Sequence, residues 1–132
     1  MDIFTFGFQE VGEWSLDGQL KSGVRFHLKH LCDERVIYAY RVNDAVKYIG
    51  ICDNTETTLK NRMERYQSRT GAGTNARIAG LIKECLEKGQ KVKILAWKPE
   101  TSPNFKGLQI DLVKGLENPL IHKIEPEWNI KK

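Results

Sequence analysis

The sequence contains no apolar run approaching the roughly 18 residues that a membrane-spanning helix needs. Its opening residues, MDIFTFGFQE, place no basic segment ahead of an apolar one, so no secretory signal is read there. Cysteine is scarce: Cys32, Cys52 and Cys85 are odd in number, widely spaced and form no C-x-x-C pair. That excludes a disulfide scaffold and leads us to expect free thiols in a reducing, cytoplasmic setting with no membrane partner. A zinc set can be drawn from His27, His30, Cys32 and Cys52, but the H-x-x-H-x-C spacing fits no common structural zinc pattern. Internal repeats, low-complexity tracts and linkers are absent too, which excludes solenoids and leaves one expected domain over residues 1–132. With 40% hydrophobic and 29% charged residues the chain is neither disordered nor membrane-embedded. At its length about two-thirds of the unfolded surface can be buried without disulfide support.

The net charge of +4 is unevenly placed. Residues 1–35 hold four basic and six acidic residues, whereas residues 36–132 hold 17 basic and 11 acidic. The densest stretch is 60–83, with Lys60, Arg62, Arg65, Arg69, Arg77 and Lys83 against Glu64 alone. Acidic partners one helical turn away are nearly absent, so these charges are not neutralised locally. Two readings follow: a patch for a polyanion, whose phosphates shed condensed counterions to Lys and Arg, or a solvated helix face.

Residues 3–16 are rich in aromatic and β-branched side chains and predict one or two short strands, with Asp17-Gly18 as a turn. A strand or helix is expected near 24–31. Residues 36–42 and 45–52, joined by Asn43-Asp44, predict an antiparallel hairpin. A helix follows, capped by Asn54, Thr55 or Thr57, with Leu59, Met63 and Tyr66 as its apolar stripe. The loop 70–74 ends it, and its glycines at 71–73 read as a helix–helix connector. A second helix spans about 75–88, stopped by Gly89. Residues 91–98 alternate as a strand, and a last helix is expected from Asn104 or Phe105 toward Ile124. This order implies an α/β fold, an α+β sandwich: a small, mainly antiparallel sheet flanked by helices.

On the wheel of that last helix Phe105, Leu108, Ile110, Leu112, Val113, Leu116, Leu120, Ile121 and Ile124 fill a broad arc, and Glu117 falls inside it. A carboxylate there costs several kcal/mol of desolvation, about 2–7, unless it meets a cation, a metal or strong donors. A buried ion pair and a metal ligand facing a cleft are equally open readings. Asn118-Pro119 could also start a new helix and leave Glu117 at a junction. Arg62 borders the stripe of the first helix, while Arg65 and Arg69 point further toward solvent.

Four blocks in this order resemble a family. Val36-Ile37-Tyr38, then nine residues, then Tyr48-Ile49-Gly50, is similar to the paired signature of the GIY-YIG nucleases. The stretch Leu59 to Tyr66 resembles that family's helix bearing an essential Arg and, four residues on, a Tyr or His. Leu116-Glu117-Asn118-Pro119-Leu120-Ile121 and Pro126-Glu127-Trp128-Asn129 resemble its E-x-x-L-I…P-x-x-N block, which carries a metal-binding Glu. The match covers 36–129 and is closest to the small phage endonuclease II type. Val36 departs from the Gly that most members carry, which bears on backbone conformation rather than on a reacting side chain.

The resemblance implies a nuclease core at 36–129 with an extension at 1–35 that contributes strands, oligomer contacts or DNA contacts. It implies a metal-dependent endonuclease acting on double-stranded DNA. Glu117 would bind one divalent ion, magnesium by preference with manganese able to substitute, a hard cation suited to carboxylate and phosphate oxygens. Arg62 would hold the scissile phosphate. Tyr38 and Tyr48 would orient or deprotonate water, with a Tyr pKa drawn below about 10 by Arg62 and the ion, and Tyr66 would support them. Lys60, Arg65, Arg69 and Arg77 are candidate DNA contacts, Gly50 and Asn129 structural residues near the site, and a homo-oligomer is an open expectation. Two other classes compete: a nucleic-acid-binding module of the same fold without catalysis, and a structural domain in which Glu117 and Arg62 form a buried ion pair.

Overall fold

The computed structural model describes residues 2–53, 57–68, 72–100 and 103–129. A short 3-10 turn, Ile3–Phe6, leads into strands β1 (Gln9–Leu16) and β2 (Val24–Leu28). Then come β3 (Ile37–Val42), β4 (Ala45–Ile51), helices α1 (Leu59–Ser68) and α2 (Thr74–Glu87), and β5 (Val92–Trp97). A two-residue-per-strand hairpin, β6 (Asn104–Phe105) and β7 (Leu108–Gln109), precedes α3 (Leu112–Ile124). No described helix is long and apolar enough to cross a membrane.

The five-stranded sheet has the order β2-β1-β5-β3-β4, and every pairing is antiparallel. The last of these five strands along the chain, β5, therefore lies at the centre, between β1 and β3. Strand alternation sends Tyr38, Tyr40 and Tyr48 to the face covered by α1 and α2. Ile37, Ala39 and Ile49 go to the other face, under α3 and the N-terminal turn. Residues 1–35 supply β1 and β2, and Trp14 of β1 meets Phe26 and Tyr40 edge-on. The extension is thus built into the sheet, as expected, although Ile3–Phe6, read as strand, form the 3-10 turn instead.

Three expectations need correcting. The last helix starts at Leu112, not near Phe105. Lys106 and Gly107 both adopt positive φ and close the β6–β7 turn, where Asn104 Oδ1 accepts from Gly107 N. Phe105 and Leu108, spaced like a helical stripe, therefore sit on a hairpin and are 61% and 70% exposed. Asp111 begins the helix instead, accepting from Val113 N and Lys114 N. Pro119 lies within α3 and starts no new helix; it has no N–H to give the carbonyl of Gly115, an exposed residue. Finally, α1 is capped by Thr58, whose Oγ1 accepts from Asn61 N; Asn54 and Thr55 lie outside the described residues.

Candidate active site

The site is built on the β3–β4 hairpin. Cross-strand pairing sets Tyr38 opposite Gly50 and Tyr40 opposite Tyr48. The ring of Tyr38 lies across Gly50, where a Cβ would stand 2.4 Å from Tyr38 Oη and 2.5 Å from Cζ. Glycine is needed there for space. Val36 is buried and does not adopt a positive φ, and its carbonyl accepts from Cys52 N at 2.9 Å. The valine is therefore accommodated without a glycine-only backbone.

From α1, Leu59, Met63 and Tyr66 face the sheet, and Arg62 lies half-buried one turn before Tyr66. The Tyr38 and Tyr66 hydroxyls share a hydrogen bond of 2.6 Å, and Arg62 Nε donates to Tyr38 Oη at 3.3 Å. All four tyrosines of the chain meet here, every ring pair lying 5.7–6.4 Å apart by centroid. Tyr48 stacks on Tyr40, and its hydroxyl makes no hydrogen bond to a described residue. Tyr40 donates to the sulfur of Met63. It was not singled out from sequence, although it shares the Tyr38 face by simple alternation.

Burial dominates the electrostatics of this group. It pushes the Tyr38 phenol above the usual tyrosine range, against the pull of Arg62. Tyr66 moves the same way, through burial first and then its tyrosine neighbours. The expected lowering of a Tyr pKa is therefore overturned for the free protein: desolvation of a phenolate costs more than one guanidinium returns. The Cys52 thiol beneath is pushed up to about 11 by burial, so it is a packing residue and not a nucleophile.

Glu117 comes from α3, on the other layer. It is half-buried, and burial, then the charge of Asp53, raises its pKa, while Arg62 lowers it. Among the described residues the Glu117 side chain makes no hydrogen bond or ion pair. Arg62 and Glu117 thus feel each other without touching, which removes the ion-pair reading of this carboxylate. Asp53, which leaves β4 three residues after Gly50, was missed from sequence; a carboxylate directly behind the Y-I-G segment was the available signal.

Asn129 clamps the hairpin from outside. Its Oδ1 accepts from Ile49 N and its Nδ2 donates to Ile49 O, both at 2.9 Å, and Trp128 N donates to Lys47 O. The side-chain amide serves as a strand partner on the open edge of β4 and holds Tyr48 and Gly50 in register. Arg77, expected to contact DNA, is half-buried and donates to the Trp128 carbonyl at 2.8 Å. That bond anchors the same C-terminal segment. Lys60 and Arg65 are exposed; helix geometry puts Arg65 on the row of Arg62 and Lys60 on another side, near Cys32 and Asp33. Arg69 lies outside the described residues. The three cysteines are free, and no group of three His, Cys, Asp or Glu among the described residues could cage a metal, so the zinc drawing fails.

The chain superposes on the structure of bacteriophage T4 EndoII, solved as a Glu-to-Ala mutant, with a TM-score of 0.74 and 25% identity over 97% of this chain and 96% of that one. The fold is a nuclease fold of the GIY-YIG type. The restriction endonuclease HPY188I, solved in complex with product DNA, matches at a TM-score of 0.59 and 16% identity, over 100% of this chain and 84% of that one. No family profile matches the chain, and no curated protein matches it by sequence. The likeness to endonucleases supports a nuclease function.

Proposed function

We propose that this GIY-YIG-type domain is a metal-dependent endonuclease that hydrolyses phosphodiester bonds in double-stranded DNA. The observation that carries the reading is one arrangement. A hydrogen-bonded Tyr38–Tyr66–Arg62 group lies within electrostatic reach of a half-buried Glu117 whose side chain has no hydrogen-bond or ion-pair partner among the described residues.

The donor set fits a hard divalent ion. Glu117 offers carboxylate oxygen, its pKa is raised by burial and by Asp53, and added positive charge relieves both effects. One carboxylate with a second nearby suits magnesium, which keeps several waters and takes substrate oxygens rather than requiring a full protein cage. Manganese has the same ligand preference. When bound, such an ion supplies Lewis acidity at the phosphate and charge for the departing oxygen.

The remaining steps belong to the side chains. Nε is the nitrogen through which Arg62 bonds to a described residue; its terminal nitrogens are the fork for a scissile phosphate. They hold the phosphate and stabilise the charge that builds on its equatorial oxygens. Tyr38 is a neutral phenol at pH 7, so its first role is to orient the attacking water. As a base it must first lose its own proton, and Arg62 is the cation that holds the resulting phenolate. Tyr66 fixes the Tyr38 oxygen, and the Tyr48 hydroxyl, which bonds to no described residue, meets water or phosphate. Arg65, on the Arg62 row, meets a flanking phosphate, which carries affinity without sequence information, and Lys60, on another side of α1, adds positive charge further from the site.

Incubation with supercoiled plasmid and magnesium tests the reading. Nicked or linear product that EDTA abolishes is expected. Intact plasmid bound in a salt-sensitive way would instead establish the non-catalytic module.

A further inference from the structure

We infer that Arg35 is a positioning residue that sets the catalytic carboxylate against the tyrosine–arginine group; the inference rests on the proposed nuclease function. Arg35 directly precedes the Val36-Ile37-Tyr38 segment, yet it reaches two other elements at once. Its Nη2 donates to the backbone carbonyl of Asp53 at 2.6 Å and to Asp111 Oδ2 at 2.9 Å. The Asp53 carbonyl belongs to the segment leaving β4, just past Gly50. Asp111 is the N-cap of α3, the helix that bears Glu117.

The Asp111 carboxylate divides its two oxygens. Oδ1 takes the α3 backbone N–H groups of Val113 and Lys114, and Oδ2 takes Arg35. One guanidinium nitrogen therefore ties the start of the Tyr38 strand, the exit of the Gly50 strand and the first turn of the Glu117 helix. These are three of the four elements that build the site, and α1 is the fourth. Glu117 comes from the layer opposite Tyr38, and its position depends on how α3 docks against β4.

The contact contributes little to stability. Both partners of the ion pair are more than a third exposed, and water screens pairs of that kind so that they add little to stability. Arg35 Nε is buried without a partner among the described residues, which opposes folding. A residue that adds little stability but joins three site-bearing elements acts on geometry. Its loss is expected to lower turnover without unfolding the chain.

The test uses the full chain and five forms: wild type, Arg35→Ala, Arg35→Lys, Asp111→Asn, and the double variant Arg35→Ala/Asp111→Asn. Asp111→Asn keeps a capping side chain and removes the ion pair. Plasmid cleavage at saturating magnesium, KM for DNA, thermal midpoint and amide hydrogen exchange of Gly115–Glu117 are measured for each. Each single loss should lower kcat by about tenfold or more with KM and thermal midpoint near wild type. The double variant should be no slower than the slower single, because both remove one latch. Arg35→Lys, whose ammonium can still bridge the two oxygens, should recover most of the rate. Exchange at Gly115–Glu117 should quicken in Arg35→Ala and in Asp111→Asn.

Multiplicative losses in the double variant would overturn the inference, as would wild-type kcat in Asp111→Asn. So would a rate loss that tracks the thermal midpoint, because a purely structural contact behaves that way. Failure of the wild type to cut would instead sink the nuclease reading. In that case the exchange rates alone decide whether the latch exists: unchanged exchange in both variants rejects it.

Discussion

Replacing Gly50 by alanine places one methyl group under the Tyr38 ring. That methyl would lie 2.4 Å from Tyr38 Oη, 2.5 Å from Cζ and 2.9 Å from Cε1. Packed carbon atoms sit about 3.5–4.0 Å apart, so the ring must retreat by about 1 Å. It cannot retreat and keep its bonds. The 2.6 Å contact with Tyr66 stretches past hydrogen-bond length, and the 3.3 Å contact with Arg62 is already near its limit. Overpacking costs about 1–3 kcal/mol, and a buried hydroxyl that loses its partner costs about 1–3 kcal/mol more. Thermal unfolding should fall by roughly 10 °C for a chain of this size. A misplacement of about 1 Å at a reacting group lowers turnover by about a hundredfold. Differential scanning fluorimetry and a plasmid nicking time course measure the two effects. In a Tyr38→Phe background the alanine should still cost stability, because Cζ still clashes, yet lower the rate no further. Wild-type turnover and an unchanged midpoint in Gly50→Ala would refute the assignment of this glycine to Tyr38.

Three further predictions come from the same geometry. Burial raises the Tyr38 pKa, so if its phenolate is the base, cleavage should climb about tenfold per pH unit across the mildly alkaline range without a plateau. Tyr38→Phe should lose both the rate and the slope in a pH–rate series. The Glu117 pKa is raised by burial and then by Asp53, so the associated stability is present below the unfolded value and is lost as pH rises through the folded one. Glu117→Gln should accordingly unfold at a higher temperature than wild type at pH 7, match it below about pH 4, and fail to cut at any pH. Arg77→Ala should lower the thermal midpoint by freeing the Trp128 carbonyl while leaving the salt dependence of DNA binding alone. Arg65→Ala should do the reverse, reducing the salt slope by about one unit in a fluorescence-anisotropy titration.

The elements that announce themselves locally were readable in the sequence. Asn43-Asp44 between two β-branched runs marked the hairpin, and the Leu59–Met63–Tyr66 stripe marked α1. The order of Tyr38, Gly50, Arg62 and Glu117 along the chain pointed to the fold type that superposition shows. What stayed hidden depends on contacts far along the chain. Phe105 and Leu108 mimic a helical stripe, and only the left-handed Lys106-Gly107 turn and the Asp111 cap reveal the hairpin. Arg77 looked like one more free cation in a basic stretch, because its carbonyl partner lies 51 residues away. Arg35 lay outside every motif, although it joins positions 18 and 76 residues further on. Arg62 lowers the Tyr38 pKa as expected, but burial outweighs it in the free protein, because a sequence shows the neighbouring charge but not the depth of burial.

The most direct measurement is cleavage set beside binding in one pair of variants. Purified Glu117→Ala and Arg62→Ala are compared with wild type for magnesium-dependent plasmid cutting and for duplex affinity in EDTA. The account predicts that wild type cuts, that both variants lose nearly all cutting, and that Glu117→Ala binds duplex at least as tightly as wild type, having lost a negative charge at the site. Undiminished cutting by Glu117→Ala would contradict the account at its centre.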